Sequence, residues 1–363
     1  MALKVGIVGL PNSGKTTIFN CFSDTKAEAG VGFATKSNFG TARVPDPRLY
    51  ELAKLQPTEK IIHTTIEFVD IPGLRRGSGR SGSSFLNDIR NVDALVHVVR
   101  CFDDPNVPHE DGSVDPIRDI ETLNIELQQK DLDSIEKRLE KIEKKARFGD
   151  KSLQKQVEVL KRAKEHLENF QNLRTLELKD AEKELLAELF PLTIKPVLYV
   201  ANVDDEAAAE GNEYSAAMEA WIKENDPGAE VLIIAARLEA EIAELEPEDR
   251  EEFLKDAGLT EPGVNKLIAA AYRLLDLQTF FTVGPKEIRA WTIRRGSTAP
   301  EAAGVIHSDL QRGFIRAEVM HYDDFIKYGS EQEVKKAGKF YLEGKDYVVQ
   351  EGDILHIRFN VSK

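Results

Sequence analysis

Residues 9–16 read GLPNSGKT and fit the pattern G-x-x-x-x-G-K-[ST], which is typical of a loop that holds the phosphates of a nucleotide. The glycines let successive backbone N–H groups point inward at phosphate oxygens, and a helix that begins at the end of the loop adds its positive dipole end. In this pattern Lys15 reaches the β- and γ-phosphates, and the Thr16 hydroxyl binds Mg²⁺. The predicted phosphate contacts are Asn12, Ser13, Gly14, Lys15, Thr16 and Thr17.

A second pattern, D-x-x-G, places Asp70 at the end of an apolar strand and Gly73 three residues later. A carboxylate at that point can hold Mg²⁺ through water, and the Gly73 N–H can meet the γ-phosphate. Between the two patterns, Thr35 is the candidate for a loop threonine that completes the magnesium shell. The sequence therefore predicts a magnesium site made by Thr16, Thr35 and Asp70.

The base should be read by Asn202, Val203 and Asp205, which follow a further apolar strand. A carboxylate at the fourth position of N-x-x-D accepts both N1–H and the N2 amino group of guanine, so Asp205 favours GTP. Val203, however, replaces the lysine whose stem normally covers the base. Adenine offers an acceptor and a donor on that edge, so its selection requires Asp205 to turn away. The Asn202 amide would then contact N7 and N6, and a backbone N–H at Ala236 would contact the base.

Hydrolysis should be slow, because Leu74 stands where many related GTPases have a glutamine that orients the attacking water. Leucine can neither donate nor accept a hydrogen bond. The candidate catalytic residues are therefore Lys15, Asn12, which is able to help hold K⁺ beside the phosphates, and His109, whose loop could bring it toward the γ-phosphate. A basic stretch after Gly73 either donates positive charge to the reaction or meets RNA; it contains Arg75, Arg76 and Arg80.

The elements that must position these residues follow from the hydrophobic pattern. Apolar runs predict strands at 3–9, 94–100, 196–202 and 231–235, a strand within 61–71 that ends on Asp70, and a helix from Lys15 to about Phe22. Because helical stretches separate the strands, we expect an α/β fold with a mostly parallel sheet and helices on both faces. The strand ends then lie at the edge of the sheet where ligands bind.

Two further segments differ from the rest of the chain in composition and hydrophobic periodicity. In 118–190, apolar residues recur at helical spacing among many Glu and Lys residues, and Phe148, Gly149 and Asp150 interrupt the pattern. This predicts an antiparallel helical hairpin with coiled-coil character, whose second helix runs from Ser152 to about Phe170. After Leu277 the alternating pattern and turn signals predict a small β-rich module.

Composition restricts the class of protein. The chain has 363 residues and a formal net charge of −14, with 41% hydrophobic and 31% charged residues. No apolar run is long enough to cross a bilayer, and two cysteines in a chain of this size indicate neither a disulfide scaffold nor a zinc site. We expect a cytoplasmic protein that binds no membrane and no DNA. RNA remains accessible to a local basic cluster in the C-terminal module, formed by Lys286, Arg289, Arg294 and Arg295.

Taken in order, the segments GLPNSGKTT, VDIPGL, NVDALVHVVRCF, KPVLYVANV and IRAWTIRRGSTAPEAAGVIHSDLQRGFIRAEV resemble the YchF/Obg-like ATPases, a branch of the P-loop GTPase superfamily whose members prefer ATP. The resemblance covers essentially the whole chain. It implies a nucleotide domain at 1–117 and 191–277, an inserted helical hairpin at 118–190, and a TGS domain with a ubiquitin-like β-grasp fold at 278–363. It also implies association with ribosomes. The family usually has Glu where this chain has Asp205.

The resemblance and the motifs together favour an ATP-binding switch that slowly hydrolyses the β–γ phosphoanhydride bond, with Mg²⁺ and K⁺ as ions and the ribosome or its RNA as partner. Two alternatives stay open. One is a GTP-preferring GTPase of the same fold, and the other is a nucleotide-dependent ribosome-binding module with negligible hydrolysis. A metabolic kinase is disfavoured, because the base-reading pattern at Asn202 is not expected in one.

Overall fold

The computed structural model describes residues 3–27, 36–73, 81–147 and 150–360. The fold divides into two compact units. The first unit takes in 1–42 and 67–271, and the second takes in 43–66 and 272–363. None of the helices in these described ranges is long and apolar enough to cross a membrane.

Twelve strands lie in the described part of the chain. They are β1 (Lys4–Val8), β2 (Asn38–Arg43), β3 (Ile61–Ile62), β4 (Thr65–Asp70), β5 (Ala94–Arg100), β6 (Val197–Asn202), β7 (Val231–Ile234), β8 (Leu277–Val283), β9 (Ile288–Arg294), β10 (Phe314–Met320), β11 (Tyr341–Glu343) and β12 (Ile354–Phe359).

The same ranges contain fourteen α-helices and two short 3-10 turns, at Leu173–Thr175 and Asp205–Ala207. The helices are α1 (Lys15–Phe22), α2 (Arg48–Leu55), α3 (Ser81–Arg90), α4 (Pro116–Ala146), α5 (Lys151–Glu168), α6 (Asp180–Ala187), α7 (Glu213–Asn225), α8 (Ala236–Glu244), α9 (Pro247–Asp256), α10 (Gly263–Leu274), α11 (Ala299–Ile306), α12 (Ser308–Arg312), α13 (Tyr322–Tyr328) and α14 (Glu331–Lys336).

The sheet of the first unit confirms the predicted α/β fold. Its strand order is β2-β4-β1-β5-β6-β7, and β1 pairs in parallel with β4 and β5, as β6 does with β5 and β7. Every residue of β5 and β6 is buried, as expected of strands with helices on both faces. Because the strands run in one direction, the loops that follow β1, β4, β6 and β7 meet at one edge of the sheet.

The predicted helical hairpin consists of α4 and α5. Asp115 caps α4 by accepting a hydrogen bond from the Arg118 N–H, and Asp150 caps α5 through the N–H groups of Ser152 and Leu153. The two helices share a buried apolar seam that includes Ile135, Leu139, Ile142, Val159, Leu160 and Ala163. The second helix ends at Glu168 rather than at Phe170, whose φ of 58° lies outside the helical region. Phe148 and Gly149 lie outside the described residues.

The second unit is built on a mixed sheet of the order β11-β10-β12-β8-β9-β3. β8 and β9 form an antiparallel hairpin, α11 follows, and β12 returns parallel to β8 while it pairs antiparallel with β10. Its core includes Phe280, Ile293, Ala303, Val319 and Leu355. The hairpin, the helix and the returning central strand fit the predicted β-grasp fold.

The structure divides the chain differently from the predicted boundaries, since the hairpin at 118–190 lies within the first unit and residues 272–277 lie in the second. Residues 43–66, predicted within the nucleotide domain, belong to the second unit. Ile61 pairs with Ile288 of β9, and the fully buried Leu49 and Leu52 of α2 share a core cluster with Phe281. The division into units therefore depends on strand pairing and on burial of apolar side chains between distant parts of the sequence. Local sequence patterns do not reveal such contacts.

A leucine in α2 should therefore stabilise the second unit. We expect Leu49→Ala to lower the free energy of unfolding of that unit by about 2–5 kcal/mol, the usual cost of deleting a buried leucine side chain. Leu55→Ala is the matched control, because that leucine is 37% exposed and should cost far less. Urea unfolding followed by Trp291 fluorescence in a Trp221→Phe background isolates the second unit. Equal midpoints for the two variants would contradict the packing.

Candidate nucleotide site

The loop between β1 and α1 has the backbone of a phosphate cradle. Asn12 has a φ of 61° and Gly14, which caps α1, a φ of 95°. A Cβ atom on Gly14 would lie 2.2 Å from Asn202 Nδ2, and one on Gly9 would lie 2.3 Å from the Val98 carbonyl oxygen. The two glycines of the motif are therefore required by close packing of the loop.

Lys15 is buried at the start of α1 and donates from Nζ to the Leu10 carbonyl oxygen, at 2.7 Å. Burial lowers the pKa of this lysine to about 8, although the negative charge of Asp70 acts in the opposite direction. The ammonium group thus lies inside the loop, held by one backbone oxygen. A bound phosphate would offer it several charged acceptors instead.

Thr16 and Asp70 meet at the mouth of the loop. The Thr16 hydroxyl donates to Asp70 Oδ2 at 2.8 Å, and the Asn38 amide donates to the same oxygen at 3.3 Å. Asp70 Oδ1 is buried, and the described residues offer it no hydrogen-bond partner. Burial raises the pKa of this carboxyl group. A hydroxyl and an under-coordinated carboxylate suit a hard cation, so these residues fit Mg²⁺.

Other predicted phosphate contacts also lie at this loop. The Ser13 hydroxyl oxygen is buried and has no hydrogen-bond partner among the described residues. A Cβ atom on Gly73 would lie 2.8 Å from Pro11 N, so the backbone of Gly73 approaches the loop closely. Thr17 stands one residue after Thr16 in α1, and its carbonyl accepts from the Cys21 thiol. The structure therefore brings Ser13 and Gly73 to the loop, whereas Thr17 is placed only as a residue of α1.

Several predicted participants lie outside the described residues, and the geometry above does not include them. They are Thr35, Leu74, Arg75, Arg76 and Arg80.

At the predicted base-reading end, Asn202 links two loops. Its Nδ2 donates to the Ser13 carbonyl at 2.9 Å, and its Oδ1 accepts from the Ala236 N–H at 2.9 Å. The prediction gave the Ala236 N–H to the base, whereas the structure gives it to Asn202. Val203 also differs from its predicted role, since its side chain is 3% exposed and belongs to the apolar core. A valine directly after a buried strand continues into that core.

Asp205, the residue on which base choice depends, is held by an arginine. Arg237 Nε donates to Asp205 Oδ2 at 2.7 Å, and Arg237 Nη2 pairs with the same oxygen. The carboxylate is therefore engaged by a cation from the first turn of α8.

Movement of His109 toward the γ-phosphate, as the sequence suggests, requires an unpaired side chain on the loop. In the structure this side chain is instead buried and paired. Its side chain is 5% exposed, and Nε2 lies 2.8 Å from Asp119 Oδ2. The Asp111 N–H donates to His109 Nδ1, so Nδ1 is the acceptor nitrogen and Nε2 carries the proton donated to Asp119. The neighbouring Pro108 carbonyl accepts from Asn12 Nδ2 at 3.0 Å. The loop thus contacts the phosphate cradle while the imidazole is fixed on Asp119.

One histidine nitrogen and two carboxylates around His109 lie close enough together to suggest a metal site. Arg118 already provides positive charge there, with Nη2 3.2 Å from Asp119 and Nε 3.4 Å from Asp111. The site geometry is therefore that of an internal ion-pair network.

Comparison with known proteins decides the family. The "Ribosome-binding ATPase YchF" of Haemophilus ducreyi is 47% identical over 366 residues, which cover 99% of this chain and 100% of that protein. The protein of the same name from Bacillus subtilis is 46% identical over 368 residues, with the same coverage. The chain belongs to the YchF family.

Structural and domain comparisons agree with membership of the YchF family. The structure of the Schizosaccharomyces pombe YchF GTPase superposes with a TM-score of 0.88 at 33% identity, covering 98% of this chain and 97% of that one. A family model described as a 50S ribosome-binding GTPase matches residues 4–146. The model of the YchF GTPase C-terminal domain, described as a protein of unknown function, matches residues 277–360. The chain is thus a P-loop NTPase, a class whose members typically depend on Mg²⁺.

Sequence reasoning missed three residues of this YchF-type site. Asn38 donates to Asp70, Arg237 binds Asp205, and the buried Arg100 donates to the Phe102 and Val107 carbonyls. Arg100 shapes the loop that ends at Pro108 beside the phosphate cradle. A charged residue at the end of the otherwise apolar run 94–100 was the available signal for Arg100; the other two follow only from contacts over long sequence separations.

The titration of Lys15 gives a testable pH dependence. A bound triphosphate stabilises the charged lysine, so binding should take up a proton wherever the free protein has lost it, above a pH of about 8. Proton uptake, measured by titration calorimetry in buffers of different ionisation enthalpy, should be near zero at about pH 7 and approach one at about pH 9. Affinity should fall with rising pH over the same range. Proton uptake that is the same at both pH values would contradict the assignment of this titration to Lys15. Lys161→Ala removes an exposed lysine of α5 and is the control, which should show the same proton uptake as the wild type.

Proposed function

We propose that this protein is an ATP-binding and slowly ATP-hydrolysing molecular switch that acts on ribosomes in the cytoplasm. The observation that carries the proposal is the arrangement of Lys15, Thr16 and Asp70 at one cradle, with Thr16 bonded to Asp70 at 2.8 Å. The names of the relatives as ribosome-binding ATPases support the partner and the nucleotide. Engagement of Asp205 by Arg237 supports adenine over guanine.

Different residues would bind the phosphates and the magnesium ion. Lys15 exchanges the Leu10 carbonyl for phosphate oxygens, and the N-terminus of α1 adds its partial positive charge. The hydroxyl of Thr16 and the carboxylate of Asp70, together with Thr35, would hold Mg²⁺. When bound, the ion neutralises charge on the β- and γ-phosphates. The backbone of Gly73 lies close to Pro11 of the phosphate loop, so its N–H would be near a bound γ-phosphate.

Hydrolysis is slow in this proposal, because Leu74 cannot orient water. Asn12 already donates to the Pro108 carbonyl through Nδ2, which leaves the amide Oδ1 as the group that would contact K⁺. His109 can act only if it leaves Asp119, so its participation requires a rearrangement of the 108–111 loop. A ribosome that moves this loop would raise the rate of hydrolysis, so the bound nucleotide would be hydrolysed faster when the ribosome is present.

The C-terminal unit provides a candidate surface for ribosomal RNA. Arg289 stacks on the Trp291 ring at 3.9 Å, and Lys286 and Arg294 are close to it in sequence. Arg295 is already paired with Asp276, at 3.2 Å. Cations next to a partly buried aromatic ring can still meet phosphates, and binding through them should weaken as salt rises.

The test has two parts. Affinities for ATP, GTP, ADP and GDP are measured by titration, and single-turnover hydrolysis is measured with and without ribosomes in sodium and potassium buffers. We expect ATP to bind more tightly than GTP, and ribosomes and K⁺ to accelerate hydrolysis. GTP binding about tenfold tighter than ATP would refute the ATP assignment, since a tenfold ratio is about 1.4 kcal/mol. Unchanged hydrolysis and no co-sedimentation with ribosomes would refute the partner, and equal rates in both salts would refute the role of K⁺.

A GTP-preferring GTPase is the second candidate, and one observation favours it. Asp205 stands at the position and spacing from Asn202 at which a carboxylate reads guanine. The same titration separates the two candidates.

A further inference from the structure

The contact between Arg237 and Asp205 joins the two loops that line the base-reading end. Asp205 begins a 3-10 turn three residues after Asn202, and Arg237 lies in the first turn of α8, directly after Ala236. Asn202 in turn bonds both the Ser13 carbonyl and the Ala236 N–H. The ion pair therefore lies within a single connected set of residues that reaches the phosphate cradle.

We propose that this ion pair determines which base the site accepts, with Arg237 as a specificity-determining residue that keeps the Asp205 carboxylate from reading guanine. The inference rests on the proposed function, because it concerns the base recognised by the same site. Arg237 is the residue that makes a carboxylate at the guanine-reading position compatible with adenine.

Guanine recognition needs both oxygens of the carboxylate. N1–H and the N2 amino group are adjacent donors, and each requires its own acceptor in the plane of the base. In the structure, Asp205 Oδ2 accepts from Arg237 Nε at 2.7 Å and also pairs with Nη2. With Oδ2 engaged and the carboxylate oriented on the guanidinium, the two-point contact with guanine is lost.

Adenine gains from the same contact. Its N1 is an acceptor, so an unpaired carboxylate facing it would be repelled. The guanidinium of Arg237 neutralises that charge and holds it away from the adenine edge. Removal of Arg237 should thus change the two affinities in opposite directions, which loss of a general contact with the nucleotide would not do.

The ion pair is accessible enough to be altered without unfolding the protein. The Arg237 side chain is 78% exposed and the Asp205 side chain 23% exposed. Exposed ion pairs contribute little to stability, so Arg237→Gln should melt close to the wild type. An effect of this substitution on base selection can therefore be read without interference from folding.

The experiment compares ATP, GTP and ITP affinities of the wild type and of Arg237→Gln in the full-length chain. Inosine has N1–H but lacks the N2 amino group, so the GTP-to-ITP ratio reports whether a carboxylate reads N2. We expect GTP affinity to rise about tenfold in the variant, ATP affinity to fall, and the GTP-to-ITP ratio to rise from near one to about ten, as for a gained hydrogen bond to a charged acceptor. Arg237→Gln combined with Asp205→Asn should lose the gain in GTP affinity.

The control is Arg312→Gln, which removes an arginine that is 71% exposed and bonded to Asp309 at 2.6 Å in the second unit. It should leave all three affinities unchanged. Equal loss of ATP and GTP affinity in Arg237→Gln would show that the arginine merely covers the base, and unchanged affinities would show that the ion pair has no role; either result overturns the inference. A wild type that prefers GTP refutes the proposed ATP function alone, because the shift caused by Arg237→Gln is measured independently of the starting ratio.

Discussion

Lys15→Ala should lose triphosphate affinity by about 100-fold or more, with hydrolysis lost in parallel, and this is the largest effect that we expect. A charged donor that meets two phosphate groups contributes on the order of 3 kcal/mol, which corresponds to a factor of about 100. The fold should survive the change. In the free protein the ammonium group is buried with a pKa lowered to about 8, so its removal relieves an unfavourable burial of charge even though the bond to the Leu10 carbonyl is lost.

The measurement is a nucleotide titration together with a thermal melt. Lys161→Ala is the control, since that lysine is 57% exposed and bonds Glu143 across the helical hairpin. It should bind and hydrolyse nucleotide like the wild type. If Lys15→Ala hydrolysed ATP at the wild-type rate, residues 9–16 would not be the phosphate site.

Asn202→Ala should weaken ATP binding and also lower the stability of the first unit. The substitution leaves the Ser13 carbonyl and the Ala236 N–H buried without their partner, and each such group costs about 1–3 kcal/mol. The phosphate cradle and α8 are then no longer linked. We expect a lower melting temperature and an ATP affinity reduced by about tenfold or more.

Asp205→Ala is the matched comparison, because Asp205 lies three residues away and, among the described residues, its side chain bonds the exposed Arg237 alone. It should melt like the wild type and lose less ATP affinity than Asn202→Ala. Equal losses of ATP affinity in the two variants would show that the bonds of Asn202 to the Ser13 carbonyl and the Ala236 N–H do not contribute to ATP binding.

Local patterns were sufficient for the phosphate cradle and the elements around it. The helix predicted from Lys15 to Phe22 and the strand predicted at 94–100 have those bounds in the structure, because a glycine-rich turn and a continuous apolar run are signals within a few residues. Placement of Thr16 beside Asp70 also followed, since parallel strands bring their carboxyl ends to one edge. The family was within reach because the resemblance covers essentially the whole chain.

The misread roles of Asn202, Ala236 and His109 depend on specific side-chain contacts in the folded unit. The sequence shows Asn202 and Ala236 as free to meet a base, but they meet each other across 34 positions. His109 looks like a loop histidine until Asp119 and the Asp111 N–H fix both ring nitrogens. No spacing rule reports such pairs, because packing of the whole unit creates them.

The assignment of 43–66 to the second unit has a consequence for biosynthesis. The chain makes α2 and β3 early, but their partners β8 and β9 begin only at Leu277. At roughly 5–20 residues per second, the nascent segment must wait about 10–40 s for them. During that interval Leu49 and Leu52 have no native core to enter, so the growing chain carries these apolar side chains unburied while the rest of the first unit is still being translated. Chaperones that bind nascent chains should therefore be found on this protein after α2 emerges and should leave once β9 is complete.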